Sequence, residues 1–236
     1  SQPAVIGGRL FVGSRSGLVY SLDAKTACIH WTYQADGPVK NSVLIGVATV
    51  GSARQLVAYF GDLGGNAYAV NAQDGHLLWR KRVDDHPAAR IMGSFQLIGN
   101  QLIVPVTSLE STLVAKADAT CCTFRGSVVS YDASSGEQRW KRYTIDQEPA
   151  KVGENANGAD IYGPAGATVW TAPTFDAKKR LLYIGTSENS VNPPTTTSDA
   201  VLAVNVDTSD VVWTYQGLSG DAWNMSCGTE DKVNCP

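Results

Sequence analysis

The chain has 236 residues, 43% of them hydrophobic, which is enough apolar material for a folded core and too much for a disordered or low-complexity segment. A formal net charge of -3, with no run of like charges, leaves no basic face for nucleic acid and no charged interaction tail. No apolar stretch reaches the roughly 18 residues a membrane-spanning helix needs, and the opening "SQPAVIGGRL" has neither the basic nor the apolar region of a signal peptide.

In chain order, one pattern recurs. An apolar strand leads to a turn and a second strand ending in Asp or Asn, and a Trp follows eight residues later. The copies are "GLVYSLDAKTACIHW" (Asp23, Trp31), "GNAYAVNAQDGHLLW" (Asn71, Trp79), "GSVVSYDASSGEQRW" (Asp132, Trp140) and "DAVLAVNVDTSDVVW" (Asn205, Trp213). Each is preceded by a further short strand: "GRLFVG", "QLVAYFG", "QLIVPV" or "RLLYIG". Short strands at this spacing, separated by Gly, Asn and Asp turns, predict four-stranded antiparallel units, and repetition of such units predicts an all-β propeller of about four blades. The Asp or Asn opening each turn supplies a short acceptor for backbone N–H groups two residues on, and Gly75 and Gly136 supply positive φ. The four tryptophans are expected to pack between neighbouring blades as core. The chain opens in mid-repeat and stops inside a loop at "VNCP", so it reads as a single partial domain over residues 1–236, a piece of a larger ring.

The Trp-to-Trp spacing grows from 48 to 61 to 73 residues, so loops are inserted between repeats, at 107–124, 144–169 and 188–199, with a further long segment at 217–236. Long loops on a rigid sheet scaffold are where function concentrates. The five cysteines lie in or near them, apart from Cys28. Cys227 and Cys235 bracket "CGTEDKVNC", which a disulfide could close, and Cys121 and Cys122 could pair with each other. Cys28 is then left as a core thiol or the partner of a cysteine outside these residues. Two disulfides would favour a periplasmic or secreted location.

The Trp repeat resembles that of the quinoprotein alcohol dehydrogenases, whose eight-bladed propellers bind pyrroloquinoline quinone (PQQ). The layout "CCTFRGSVV", "GPAGATVWTAPTFDAKKRLLYIGTS", "TSDAVLAVN" resembles most the polyvinyl alcohol dehydrogenase branch. The resemblance covers nearly the whole chain and implies that about half a ring is present. It also implies a set of site residues. Glu110, after the strand "LIVPV", takes the place of a calcium-binding Glu, with Thr107 and Ser108 bordering the cofactor; alone, such a Glu would read as a solvated loop residue. Trp170 in "TVW" falls outside the repeat spacing and matches the Trp under the quinone ring, its alternative being a core residue on an inner strand. In "GTSENSVN" the family's calcium-binding Asn corresponds to Glu188 without a gap or to Asn189 one residue later. In "GDAWNMSC" Asp221 takes the place of the catalytic base that also touches the metal, while Asn224 replaces a second Asp.

Adjacent cysteines would form a rigid, apolar ring able to cover a planar ligand, as the family's methanol and ethanol enzymes have above PQQ. Here Cys121 and Cys122 lie after Glu110, where the family ring lies well upstream of the calcium Glu. The implied chemistry is calcium-assisted hydride transfer from an alcohol, small or polymeric, to the quinone, with Asp221 taking the hydroxyl proton and a cytochrome c taking the electrons. No C-x-x-C-H haem motif occurs in these residues. A half ring leaves one side of such a site open, so these residues by themselves are expected to be inactive. The rival expectation is a propeller that binds or scaffolds without a cofactor.

Overall fold

The computed structural model describes residues 2–116 and 118–236. Four of its antiparallel sheets follow one another in sequence order and are the blades of a β-propeller. The first blade runs through Ala4–Ile6, Arg9–Gly13, Leu18–Asp23 and Ile29–Gln34. The second runs through Leu44–Val50, Ala53–Gly61, Asn66–Asn71 and Leu77–Arg82. Gln96–Ile98, Gln101–Ser108, Ser127–Asp132 and Gln138–Tyr143 make the third, with Ala89–Arg90 paired to the end of Gln101–Ser108. Thr174–Asp176, Leu181–Gly185, Ala200–Asn205 and Val211–Gln216 make the fourth.

The repeat residues build the same local geometry in every blade. The Oδ1 of Asp23, Asn71, Asp132 and Asn205 accepts the backbone N–H two residues on, at 3.0, 2.7, 3.0 and 2.9 Å. Four residues after each, the chain turns through a left-handed conformation at Ala27, Gly75, Gly136 and Ser209. The register then slips by one residue at the same place in each outer strand pair, beside Leu22, Val70, Tyr131 and Val204.

Adjacent blades are clasped by the repeat tryptophans. Trp31 Nε1 donates to the Ala72 carbonyl at 3.0 Å, Trp79 to Ala133 at 3.0 Å and Trp140 to Val206 at 3.1 Å. Each acceptor is the residue directly after the turn Asp or Asn of the following blade. The indole also lies over the turn glycine: a Cβ on Gly75 would come within 2.8 Å of the Trp31 ring, and one on Gly136 within 2.7 Å of Trp79. Around these clasps lie three apolar clusters, centred on Phe11, Phe60 and Tyr68, on Tyr59, Leu102 and Tyr131, and on Ile103, Leu182 and Leu202. Burial of this apolar surface is the main force joining the blades.

Two core expectations are corrected. Trp213, on the outer strand Val211–Gln216 of the fourth blade, is 43% exposed, unlike the buried Trp31 and Trp79. Cys28 is an exposed free thiol, because it sits in the turn-and-strand edge of the first blade where side chains face out.

The inserted segments fold together at one end of the blades. Residues 144–169 contain a ribbon of Ala150–Glu154 and Asp160–Gly163, and Ala165–Gly166 pairs with Asn189–Val191. The segment 217–236 carries a 3-10 helix, Met225–Gly228, and the Cys227–Cys235 disulfide. Asn234 ties three segments: its Nδ2 donates to the carbonyls of Val114 and Lys116, both at 3.0 Å, and its Oδ1 accepts from Asn155 at 2.7 Å. Among the described residues no helix is long and apolar enough to cross a membrane.

Candidate active site

Two adjoining cavities open among the inserted segments and share Trp170, Glu188 and Trp223 as walls. The first, about 250 Å³, also has Thr107 and Ser108 on its lining. The second, about 350 Å³, adds Asp199 and Asp221. Residues from four separate segments thus meet at one place. Volumes of this order suit a small organic ring system.

Trp170 lies in the loop before Thr174–Asp176, not on a strand, and is 54% exposed with its ring toward both cavities. The Val169 N–H donates to the Val106 carbonyl at 3.2 Å, which fixes this loop on the third blade. Gly93 permits the close approach: a Cβ there would meet the Thr171 carbonyl at 2.6 Å. On the facing segment, Trp223 N–H donates to Asn189 O at 2.8 Å, and Ala222 bridges Asn189, so Asp221 is carried to the cavity beside Glu188. Asn224 is turned inward: its Nδ2 donates to Ser190 and Asn234 carbonyls, and its Oδ1 caps the 3-10 helix through Ser226 N–H.

Of the two residues that sequence left open, only Glu188 lines the cavities. Asn189 is fully buried with both side-chain atoms engaged, Oδ1 accepting from Thr195 N–H at 2.7 Å and Thr195 Oγ1 at 3.0 Å, and Nδ2 donating to Ala165 O at 3.0 Å. Glu110 is likewise engaged elsewhere. It opens the short helix Glu110–Leu113, is 9% exposed, and its Oε1 and Oε2 each accept a backbone N–H, from Thr123 and Phe124, both at 2.8 Å. His86 backs this arrangement. Its Nδ1 accepts the Ala88 N–H at 3.1 Å, which puts the ring proton of the neutral form on Nε2, 3.0 Å from Thr123 Oγ1 and 3.6 Å from Glu110 Oε1.

Cys121 and Cys122 are disulfide-bonded to each other and buried. The ring packs with Val114, Ala165 and Val191, and Cys121 and Cys122 N–H groups donate to the carbonyls of Asp160 and Tyr162. It belongs to the wall behind the insertions, not to the lining shared by Trp170 and Asp221.

The electrostatics of the second cavity follow from three acidic side chains on one lining. Burial pushes the Glu188 carboxyl up; its own backbone N–H opposes this, and the charges of Asp199 and Asp221 add to the rise. Asp199 is pushed up by burial and then by Asp221, with the Ser198 hydroxyl pulling the other way. Asp199 Oδ2 is sealed from solvent and has no hydrogen-bond partner among the described residues. Among the described residues no three His, Cys, Asp or Glu side chains stand together as a ready-made metal cage. Free carboxylate oxygens on one lining are nonetheless the donor type a hard cation takes, and they offer no soft ligand. The oxygens of Glu110 and Asn189 accept hydrogen bonds from Thr123, Phe124 and Thr195.

Sequence motifs led to Trp170, Glu188, Asp221, Thr107 and Ser108. They missed Trp223, although it stands two residues after Asp221, and they missed Asp199, which belongs to no recognisable spacing.

The family described as PQQ: Glucose/ethanol/alcohol dehydrogenase, beta-propeller domain, matches residues 1–231. The whole chain is 38% identical to part of the polyvinylalcohol dehydrogenase of Sphingopyxis sp. (strain 113P3), covering 36% of that protein. It is 28% identical to the quinohemoprotein alcohol dehydrogenase ADH-IIG of Pseudomonas putida, with 96% of this chain and 33% of that protein matched. The solved structure of the ADHIIG enzyme from Pseudomonas putida HK5 superposes with a TM-score of 0.70 at 25% identity, over 94% of this chain and 34% of that one. The chain thus spans about a third of the length of these relatives.

Proposed function

Because the chain belongs to the PQQ-dependent glucose/ethanol/alcohol dehydrogenase β-propeller family, we propose that it supplies the active-site part of a quinoprotein that oxidises alcohols, polymeric ones such as polyvinyl alcohol included. The observation that carries this reading is the convergence of Trp170, Glu188 and Asp221, from three different segments, on one cavity.

In this reading the exposed indole face of Trp170 is the platform for a planar cofactor, and Thr107 and Ser108 border its edge. When bound, pyrroloquinoline quinone supplies the two-electron acceptor for the substrate's hydride. Glu188 and Asp221 present hard oxygen donors to Ca²⁺ at the same cavity. Asp221 accepts the proton of the substrate hydroxyl as the carbon loses its hydride. Trp223, on the same lining as Trp170 and Asp221, narrows the approach to that carboxylate and limits water beside it. Glu110, His86 and the Cys121–Cys122 ring serve one step further back: they hold the segment 118–126 against the wall of the site. Electrons leave to a cytochrome c, and the two disulfides fit a periplasmic or secreted protein.

The test is dye-linked oxidation of polyvinyl alcohol by the full-length protein loaded with PQQ and Ca²⁺. Asp221→Asn is expected to lower turnover by about 10²–10⁴-fold, the usual contribution of a general base, while the visible absorption of bound PQQ persists. Turnover equal to the parent protein excludes Asp221 as the base, and absence of PQQ binding by the parent protein excludes the reading as a whole.

A further inference from the structure

We propose that Trp223 is a specificity-determining residue: its indole receives the alkyl groups that flank the carbinol carbon, and so selects secondary alcohols with longer hydrocarbon flanks over short ones. The inference rests on the reading of Trp170 as the cofactor platform and Asp221 as the base.

The two cavities differ in what they leave to a substrate. The first carries Thr107, Ser108 and Trp170, the edge and floor assigned to the cofactor. The second, about 350 Å³, is lined by Trp170, Glu188, Asp199, Asp221 and Trp223. A planar ring stacked on Trp170 covers that indole, and three of the other four side chains are carboxylic acids. Among the described residues of this lining, Trp223 is therefore the apolar side chain left for the substrate. An alcohol whose hydroxyl reaches Asp221 has its carbon chain beside that indole.

The chain itself fixes the spacing of indole and base. Trp223 stands two residues after Asp221; its backbone N–H donates to the Asn189 carbonyl at 2.8 Å, and Ala222 between them bridges the same residue. Asn189 is fully buried, with Oδ1 and Nδ2 bonded to Thr195 and Ala165. The segment that carries both side chains is thus anchored to the strand Asn189–Val191. At 41% exposed, Trp223 keeps apolar surface for an incoming chain, whereas Trp31 and Trp79, at 7%, have theirs covered by the neighbouring blade. An indole offers a large apolar face at little conformational cost, and each methylene buried on such a face strengthens binding by up to about fourfold.

The experiment uses the full-length protein loaded with PQQ and Ca²⁺ and compares kcat/KM for 2-propanol, 2-butanol, 2-pentanol and 2-hexanol. In the parent, kcat/KM should rise about two- to fourfold per added methylene, so about 8- to 60-fold across the series. Trp223→Ala, and Trp223→Gln, which keeps more of the side-chain volume, should cut that ratio to about threefold or less, with the loss carried mainly by KM. Trp223→Phe should restore an intermediate ratio. Tertiary alcohols, which have no carbinol hydrogen to lose, give a readout free of turnover. The dissociation constants of 2-methyl-2-propanol and 2-methyl-2-hexanol, read by calorimetry, should differ by the same factor in the parent and converge in the Ala and Gln variants. A purely structural role lowers all the alcohols by one common factor and leaves both ratios intact. That result, or a flat series in the parent, overturns the proposal, and where Trp223→Ala does not fold Trp223→Gln decides. Failure of the underlying reading is distinct: a parent that oxidises none of the alcohols, or full turnover in Asp221→Asn, removes the base, and the assignment of Trp223 falls with it.

Discussion

Replacing Glu110 by Gln separates two roles by the sign of their effect. Oε1 and Oε2 receive the Thr123 and Phe124 N–H groups at 2.8 Å, and the Thr123 hydroxyl adds a longer bond at 3.3 Å. Glutamine keeps one acceptor oxygen and turns its NH₂ toward the other N–H, so either the buried Phe124 donor or the part-buried Thr123 donor is orphaned and both bonds lose the help of a full charge. Hydrogen bonds to charged groups contribute about 1.5–3 kcal/mol, and an unsatisfied buried donor costs about 1–3 kcal/mol. The combined loss is about 2–4 kcal/mol, concentrated on the segment 118–126. At 1.4 kcal/mol per factor of ten, amides of Thr123 and Phe124 should exchange with solvent roughly 30- to 1,000-fold faster in Glu110→Gln where exchange reports local opening. Hydrogen exchange of that segment, read by mass spectrometry in ion-free protein, is the assay. A residue kept only to bind a metal predicts the reverse: without the ion, neutralising it leaves protection unchanged or raises it. Unchanged or slower exchange therefore refutes the assignment of Glu110 as the latch of the cysteine segment.

Gly75→Ala should destabilise by about 2–4 kcal/mol, because the new Cβ meets the Trp31 ring at 2.8 Å on a backbone with φ +79°. Ala27→Gly, at the same turn position in the first blade where the residue is exposed, should stay within about 1 kcal/mol, both variants being compared with the parent by urea unfolding. Trp170→Ala should weaken PQQ binding at least about tenfold, measured by absorption titration, since stacking adds about 0.5–1.5 kcal/mol beyond the area lost. Its ion-free melting temperature should hardly move, because the ring is already more than half exposed.

The blades were legible because their causes are local. An Asp or Asn acceptor, a left-handed position four residues on and a Trp eight residues on are all set within one strand pair, and the structure repeats them from Asp23 to Trp213. Thr107, Ser108, Trp170, Glu188 and Asp221, marked by motifs on successive repeats, all line the two cavities. Asp199 could not: its place in the site comes from two long-range backbone bonds, to Ser187 and Gly217, and an Asp before a strand carries no signature of either. Glu110 shows the complementary difficulty, since its position marks it as important but cannot reveal that the amides 13 and 14 residues later donate to its oxygens. Exposure of Cys28 was hidden for a simpler reason. Cysteine is among the residues most often buried, and its type alone does not reveal a place on the outward edge of a turn.

The indole clasp also explains why the connections between blades could lengthen so freely. Donor and acceptor of each clasp sit at fixed offsets inside their own strand pairs, so nothing in the joint measures the length of chain outside it. A stretch as long as 144–169 can be spliced in while Trp140 still finds the Val206 carbonyl. The rim can thus change in length and sequence without renegotiating the frame that carries it.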